Sequence, residues 1–378
     1  MSALDLLPNR RVEGWRWSDL RAAVGSQLPP IASRPERVPP EHDLWSQLGA
    51  EIIFADGRIA CWPEEEVSGI RVFSKTASEA GPPRSSPNVA VGQFAADSIE
   101  DDWFPIVGST AQHGVVVVRH VGGSTPQMRA ARLGVQVGAG ESLTLIEVFE
   151  NELAGVTNTL MECYVEPGGR LNRLVVQPQT EPATIVCTGQ AFLGEKSEFN
   201  QFVFSAGGKL SRIQTDVIAG AGAKARLNGV CLAAAGLHAD QTSHVTLEAE
   251  GGEVRQLVRS VARRKGRAVF QGKFLVERTA QKTDAQMEHN ALLLEDGAEV
   301  FAKPELEIYA DDVQCSHGNT CGQLDEQAVF YARSRGLPEA EARAMLTRAF
   351  LIEAIPDWLD EALHAEIEAR VSAWLEAG

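Results

Sequence analysis

The sequence has no long uninterrupted apolar stretch, and no run approaches the roughly 20 residues that a membrane-spanning helix needs. Its first residues also lack the basic-then-apolar pattern of a secretory signal peptide. Positive charge is scarce, because 35 Lys and Arg face 51 Asp and Glu and leave a formal net charge of −16. Nucleic acids and anionic membranes both select basic surfaces, so neither is an expected partner.

Cysteines are few and scattered. Only six occur in 378 residues, and they show no regular framework, which is typical of a protein from a reducing compartment. We therefore expect a cytoplasmic location. The sequence also contains no Gly-x-Ser-x-Gly elbow, no HExxH motif and no Walker A pattern, so hydrolysis of ATP by this chain is not expected.

The densest chemistry lies between residues 304 and 336. Within eleven residues this stretch brings together thiol, imidazole and carboxylate side chains, namely Asp311, Asp312, Cys315, His317 and Cys321. Soft sulfur with a borderline nitrogen favours iron, zinc or copper over magnesium. The alternative is a strand-to-helix corner in which the two thiols are simply buried as small apolar groups. The residues alone leave both interpretations open.

Most of the chain, from about residue 115 to residue 309, reads as short strands separated by glycine corners. Five such corners, at Gly140, Gly169, Gly208, Gly252 and Gly297, follow one another at 29, 39, 44 and 45 residues. Glycine adopts left-handed backbone conformations at no steric cost, which suits repeated tight corners. The spacing is too irregular for a short repeat code. It indicates either a β-solenoid with variable loops or a β-sandwich.

The N-terminal region combines a short helix, a proline-rich stretch, two strands and a linker. Ser18 is the expected cap of a short helix whose apolar anchors are Trp15, Trp17 and Leu20. Residues 25–44 are proline-rich and should be extended, and residues 76–88 read as a linker. Between them, residues 51–61 predict two strands joined by an Asp-Gly turn.

Helical periodicity follows the stretch that carries Cys315 and His317. Asp325 is a suitable cap for a helix that runs to Arg335, and Gly336 suits the left-handed position after its end. Pro338 and Pro356 delimit the next helix. The last helix carries one apolar stripe, formed by Leu359, Leu363, Ile367, Val371 and Trp374. Residues 304–378 contain 15 acidic and five basic side chains, a net charge of −10. Such a region is either a solvated helical surface or a docking surface for a basic partner.

Several segments resemble, in order, the SufD type of the SufB/SufD family, whose members are subunits of the SUF iron–sulfur cluster assembly machinery. The matching segments are 11–21 (RVEGWRWSDLR), 269–273 (VFQGK), 280–285 (AQKTDA), 292–294 (LLL), 305–313 (ELEIYADDV), 315–318 (CSHG), 322–326 (GQLDE), 330–331 (FY) and 333–336 (RSRG). A SufB-type chain should instead carry a cysteine about thirty residues before the motif, where this chain has Met-Glu-His-Asn at 287–290. The resemblance runs nearly end to end, although residues 25–110 match only loosely.

The resemblance implies a mainly β fold, with a right-handed parallel β-helix core and helical N- and C-terminal regions. On that basis we expect an N-terminal region over residues 1–88 and a β-helix over residues 89–310. The expected C-terminal helical region, residues 311–378, would carry the Cys-Ser-His motif.

The resemblance also implies a non-catalytic scaffold that pairs with SufB through the β-helix and shares a nascent iron–sulfur cluster with it. His317 is the implied residue on this side of the shared site, and Cys315 is a weaker candidate. Alternation along a strand would place both side chains on one face. Cys321, Asp311 and Asp312 are weaker candidates still. The chain has no paired CxxC spacing and no four-cysteine set, so it does not supply a closed site alone.

A second implied partner is the ATPase SufC, which docks on the C-terminal helices in this family. The expected docking region contains Phe330, Tyr331, Leu346, Phe350 and Ile355. Reduced flavin is also attributed to this machinery, but the sequence contains no flavin motif to which it can be assigned.

Two other functions compete with the scaffold. One is a β-solenoid enzyme acting on polysaccharide, but the lack of a signal peptide and the 6% aromatic content count against it. The other is a stand-alone metalloenzyme centred on Cys315 and His317, with Asp311 or Asp312. A metalloenzyme predicts stoichiometric metal in the isolated chain, whereas the scaffold predicts little or none. We favour the scaffold.

Overall fold

The computed structural model describes residues 3–31, 42–76, 103–109, 113–150 and 153–377. Within these ranges the strands are β1 (Ala50–Ala55), β2 (Arg58–Cys61), β3 (Ile70–Thr76), β4 (Trp103–Ser109), β5 (Gly114–Val121), β6 (Gln127–Val137), β7 (Ser142–Phe149), β8 (Gly155–Val165), β9 (Arg170–Gln177), β10 (Thr180–Leu193), β11 (Glu198–Ser205), β12 (Gly208–Ala219), β13 (Lys224–Ala233), β14 (His238–Leu247), β15 (Glu253–Ala262), β16 (Arg267–Val276), β17 (Asp284–Leu293), β18 (Glu299–Ile308) and β19 (Gln314–Gly322). The helices are α1 (Ala3–Leu6), α2 (Leu20–Val24), α3 (Glu326–Ser334), α4 (Glu339–Ile352) and α5 (Glu361–Glu376).

The strands wind into a β-solenoid of about eight turns. Sheet one contains β1, β2 and the odd-numbered strands from β5 to β19, and sheet two contains β3, β4 and the even-numbered strands from β6 to β18. From β5 onward each strand pairs in parallel with the strand two places along the chain, so every coil adds one strand to each sheet. The solenoid alternative is therefore confirmed. A sandwich would have joined the strands antiparallel.

Coil length and corner type together explain why the spacing of the glycine corners looked irregular. Glu198 lies opposite Lys224 and Glu253 lies opposite Asp284, so one coil takes 26 residues in the first case and 31 in the second. The corners at 140, 169 and 252 lead from sheet two into sheet one, whereas those at 208 and 297 lead the opposite way. The sequence pattern had mixed two kinds of corner, and together with the variation in coil length this hid the repeat.

Alternation along the strands divides buried side chains between the solenoid interior and its outer faces. In β5, Val116 and Val118 pack in the interior, whereas Val117 packs beneath the C-terminal helices. All three are fully buried, and each contributes about 1.5–3 kcal/mol relative to an exposed position. Both faces of sheet one are thus apolar, as expected for parallel strands that are covered on both sides.

The interior also holds a buried ion pair. Arg173 and Glu147, in adjacent strands of sheet one, are 0% and 2% exposed, and their charged groups approach to 2.6 Å. Burial alone would raise the pKa of Glu147, but Arg173 and the ring of His120 outweigh it and lower that pKa below its ordinary value. Gln201 accepts a further hydrogen bond from the guanidinium of Arg173. The pair therefore remains charged inside the solenoid.

The N-terminal segment covers the outer face of sheet two. Trp15 lies 4.1 Å from the guanidinium of Arg212, which forms a fully buried ion pair with Asp240. Ser18 donates a hydrogen bond to Asp240 rather than capping a helix. The predicted cap was wrong, because the residue that caps α2 is Asp19, whose side chain accepts a hydrogen bond from the backbone amide of Ala22. The anchoring role expected of Trp15 is confirmed by its burial.

The C-terminal helices cover the outer face of sheet one. The stripe predicted for α5 is buried and packs on side chains of sheet one, as expected. Asp325 caps α3 through the amide of Gln327, and Gly336 has a φ of 97°, so both ends of that helix are as predicted. The helix α4 ends at Ile352, three residues earlier than Pro356 had suggested. None of these helices combines the length and the apolar composition that crossing a bilayer requires, within the described residues.

The two ends of the solenoid differ. At the first end β1–β2 and β3–β4 are antiparallel pairs, and the predicted Asp56–Gly57 turn joins the first pair. The predicted linker begins at the last residue of β3, and its residues 77–88 lie outside the described residues, as do residues 32–41 of the proline-rich stretch. At the other end β18 and β19 are the last members of their sheets. The Cys-Ser-His motif thus lies in the final coil, while the division at residues 88 and 310 stays a prediction.

Candidate functional site

The strand β19 carries the motif and forms one edge of sheet one. It pairs in parallel with β17 on one side, and among the described residues no strand pairs with its other side. The edge of sheet two, β18, is likewise bounded only by β16. Backbone donors and acceptors along two adjacent strand edges are therefore available for pairing with another chain.

Within β19, alternate side chains continue the columns of the solenoid interior. Cys315 lies opposite Ala285 and His317 lies opposite Met287, and both of these partners are buried interior residues. In an earlier coil the next strand would cover such positions. Here His317 is exposed and Cys315 is only partly buried, because no further coil follows among the described residues. The prediction that the two side chains share one face is consistent with this register.

The two cysteines of the final coil differ in environment. Cys315 packs partly against the interior core, and burial raises the pKa of its thiol. Cys321 lies six residues further along the same face and is exposed, although partial burial also raises the pKa of its thiol. Both thiols are therefore mostly protonated near neutral pH, and binding a metal would have to displace the proton.

The two aspartates are at the corner between β18 and β19. The amide of Asp312 donates to the side chain of Gln281, and its carbonyl accepts from the amide of Lys282. The side chains of Asp311 and Asp312 are exposed. In the described ranges no three or more His, Cys, Asp or Glu side chains are placed to hold one metal ion. The five candidate donors share one end of the solenoid without forming a closed site.

A buried network behind His317 was not anticipated. The fully buried ring of His289 lies between Ser260, whose hydroxyl is 2.8 Å from Nε2, and Asn319, whose Oδ1 is 2.7 Å from Nδ1. Asn319 is two residues beyond His317 on the same face. No local pattern in the sequence distinguishes His289 from the other histidines of the chain. Alternation along the strand from His317 is the one sequence signal that points to Asn319.

The residues expected to dock an ATPase have different exposures. Phe330 and Tyr331 of α3 are 72% and 61% exposed. Leu346 and Phe350 of α4 are partly buried, and Ile355 is buried against sheet one. The exposed part of this region is thus an aromatic pair on α3, and the other three side chains hold the helices in place.

Two arginines of sheet one fasten the helices to the solenoid. Arg259 pairs with Glu353 at 2.8 Å and its guanidinium lies 5.3 Å from the ring of Phe350. Arg263 lies 4.0 Å from the ring of Trp374 and donates to its carbonyl. Both arginines are about 5–6% exposed, so their contacts with the rings of Phe350 and Trp374 are largely shielded from water, whereas the Glu353 side of the ion pair is 60% exposed.

Comparison with known proteins identifies the fold's relatives. Residues 120–350 match the model of the SufBD core domain of the SUF system for iron–sulfur cluster assembly. The iron–sulfur cluster assembly protein SufD of Escherichia coli is 28% identical over 98% of this chain and 90% of its own length. A SufBD family protein of Synechocystis is 31% identical over 61% of this chain and 54% of its own length. A SufBD family protein of Pyrococcus horikoshii is 28% identical over 52% of this chain and 44% of its own length.

The family model covers well over half of the chain and includes the strand that carries the Cys-Ser-His motif. The match to the Escherichia coli protein extends the likeness to both termini. Fold, motif and comparisons agree: this chain belongs to the SufBD family of the SUF iron–sulfur cluster assembly system.

Proposed function

We propose that this chain is a non-catalytic scaffold subunit that pairs with SufB and shares a nascent iron–sulfur cluster with it. One observation carries the proposal: His317 and Cys315 continue the interior columns in a final coil that no other described strand covers. Interior positions of a solenoid are otherwise buried and mostly apolar in this chain. Metal donors at such a position can bind a cluster only if another chain adds the next coil and supplies the remaining ligands.

Geometry supports a shared site over a self-contained one. A strand rises about 3.3 Å per residue, so His317 and Cys321 are separated by roughly 13 Å along β19. Two ligands of the same zinc or iron ion lie about 2 Å from the metal and hence within roughly 4 Å of each other. His317 and Cys321 therefore do not bind one ion together. In the proposed complex His317 is the principal ligand on this side, with Cys315 as its neighbour.

The free strand edges support a partner with the same architecture. A second β-helix that presents an open coil can extend both sheets at once, by pairing with β18 and β19. SufB, the paralogue in this family, is the partner we propose. Iron and sulfide are then substrates of a boundary between two solenoids, and the boundary itself shields the growing cluster from water.

The C-terminal helices are suited to the proposed docking of SufC. The exposed aromatic pair Phe330 and Tyr331 supplies apolar contact area, and aromatic residues are enriched in binding hot spots. Arg259 connects α4 to β15, which pairs with β17, which in turn pairs with β19. Force applied to these helices by an ATP-driven movement of SufC would thus reach the strand that bears His317. Reduced flavin stays a proposed component of the complex without an assigned place on this chain.

The test is assembly of the cluster on the complete complex. This chain, tagged, is co-expressed with SufB and SufC, purified, and reconstituted anaerobically with iron and sulfide. We expect His317→Ala to co-purify normally and to lose most of the iron and of the visible cluster absorption. Ser316→Ala, a change on the opposite face of the same strand, is the matched control and should behave like wild type. Cluster formation by His317→Ala at the wild-type rate would refute the proposed site.

A further outcome separates the scaffold from a metalloenzyme. If the isolated chain purified with stoichiometric metal that His317→Ala removed, the function would belong to this chain alone and the scaffold proposal would be wrong.

A further inference from the structure

Asn319 occupies a position that the proposed function does not yet use. It lies in β19 opposite His289, on the same face as His317 and about 6.6 Å further along the strand. Its side chain is exposed at the open coil, whereas the side chain of its cross-strand partner His289 is completely buried. One end of the Asn319 amide thus touches a rigid interior and the other end faces the site.

His289 is held in a single orientation. Its ring stacks on that of Phe270, with 4.5 Å between centroids and 4° between planes. Burial lowers the pKa of His289 to about 4, so the imidazole is neutral near pH 7 and carries one N–H. The Oδ1 of Asn319 has no hydrogen to give, so Nδ1 of His289 donates to it at 2.7 Å. Nε2 then accepts from the hydroxyl of Ser260.

This network fixes the direction of the Asn319 amide. Its carbonyl oxygen is engaged by His289, so the NH₂ group lies on the other side of the amide carbon. Among the described residues that NH₂ group has no protein partner. It supplies two N–H donors at the exposed face that also carries His317. Preorganised donors of this kind stabilise charge that develops next to them.

We infer that the amide of Asn319 donates a hydrogen bond to a sulfur atom of the nascent cluster, or of its thiolate ligands, beside His317. The inference rests on the proposed function. Sulfur atoms of clusters accept hydrogen bonds, and such bonds raise the reduction potential of the cluster and slow its loss. Asn319 is therefore a cluster-contacting residue, and His289 is the positioning residue that orients it.

A purely structural role for Asn319 makes a different prediction. The bond to His289 could serve only to tie β19 to β17, as the bond from Asn290 to Thr320 does on the opposite face at 2.7 Å. Thr320→Ala removes that second bond and leaves the site face untouched, so it is a matched control for strand anchoring. Asn319→Asp keeps an oxygen for His289 and removes the outward donors, and Asn319→Leu removes donors and acceptor without adding charge.

The experiment compares these variants in the reconstituted complex with SufB and SufC. We expect both Asn319 variants to form the complex and to lose the cluster to an iron chelator about three- to tenfold faster than wild type, the effect of one hydrogen bond. The midpoint potential of the cluster should fall in Asn319→Leu. Thr320→Ala should match wild type in both measurements.

The outcomes separate this inference from the proposed function. Wild-type decay and potential in Asn319→Leu, with cluster lost in His317→Ala, would refute the hydrogen bond alone. An effect in Asn319→Asp without one in Asn319→Leu would also refute it, since added charge would then be the cause. Equal effects in Thr320→Ala and Asn319→Leu would assign Asn319 to strand anchoring. Wild-type behaviour of His317→Ala would instead refute the proposed function.

Discussion

The buried pair of Glu147 and Arg173 makes a quantitative prediction about what holds the solenoid interior together. In Glu147→Gln the shape of the side chain is kept, but Arg173 loses its counter-charge while it remains fully buried. A guanidinium does not shed its proton at any ordinary pH, so no change of ionisation relieves the cost. Two unit charges about 4 Å apart interact by about 4 kcal/mol at an effective dielectric constant of 20.

We therefore expect Glu147→Gln to lower the free energy of unfolding by about 3–5 kcal/mol, the usual cost of breaking a buried pair from one side. The double variant Glu147→Leu/Arg173→Met removes both charges and should be more stable than the single variant, although it lacks more hydrogen bonds. Urea-induced unfolding, followed by circular dichroism at pH 7, measures both differences. A loss below about 1 kcal/mol for Glu147→Gln, or a double variant less stable than the single one, would refute the reasoning.

Further predictions concern packing, pH and docking. A methyl group added at Gly189 would lie 2.4 Å from a guanidinium nitrogen of Arg173, so Gly189→Ala should destabilise the wild type by about 1–3 kcal/mol and have much less effect beside Arg173→Met. Burial lowers the pKa of His238 to about 4, whereas in the unfolded chain this histidine binds its proton near pH 6.5. The free energy of unfolding should therefore decrease as the pH is lowered from 6.5 to 4, by up to about 1.4 kcal/mol per pH unit. His238→Gln should flatten that part of a pH series of urea titrations. Replacing Phe330 and Tyr331 together by alanine should change stability by less than about 0.5 kcal/mol yet weaken SufC binding at least about tenfold in calorimetry.

Each of these predictions has a contrary result. If Gly189→Ala lowered stability equally in the wild type and in Arg173→Met, the guanidinium of Arg173 would not be the group that the added methyl meets. An unchanged pH slope in His238→Gln would mean that other groups cause the acid sensitivity. Unaltered SufC affinity after loss of Phe330 and Tyr331 would move the docking surface away from the exposed face of α3.

Much of the fold was predictable because local chemistry decided it. The cap at Asp325, the left-handed Gly336 and the apolar stripe of α5 are set by neighbouring residues, and each is where the sequence indicated. The Asp56–Gly57 turn belongs to the same class. In contrast, Ser18 looked like a cap and is instead tied to an aspartate 222 residues away, a contact that no local pattern contains.

The choice between solenoid and sandwich depended on register, which local pattern does not specify. The coils range from 26 residues, between Glu198 and Lys224, to 32 residues, between Arg267 and Glu299, and this variation hides the repeat from a search for a fixed period. The resemblance to the SufB/SufD family, rather than periodicity, supplied the correct architecture.

The candidate site was predictable only along its own strand. Alternation placed Cys315 and His317 on one face, and the structure adds that this face continues the interior column of an uncovered coil. The contact between His289 and Asn319 links residues 30 positions apart through the register of β17 and β19. Such contacts between neighbouring coils cannot be predicted until the length of the intervening coil is known.

The central claim, that His317 binds the nascent cluster, can be tested by direct detection of its nitrogen. This chain is produced with ¹⁵N-labelled histidine, combined with unlabelled SufB and SufC, and reconstituted with iron and sulfide; the reduced cluster is then examined by pulsed electron paramagnetic resonance. The account predicts a ¹⁵N coupling of the size expected for a directly bound imidazole, present in the wild type and absent from whatever residual cluster His317→Ala forms. A cluster that forms in full without any such coupling would contradict it.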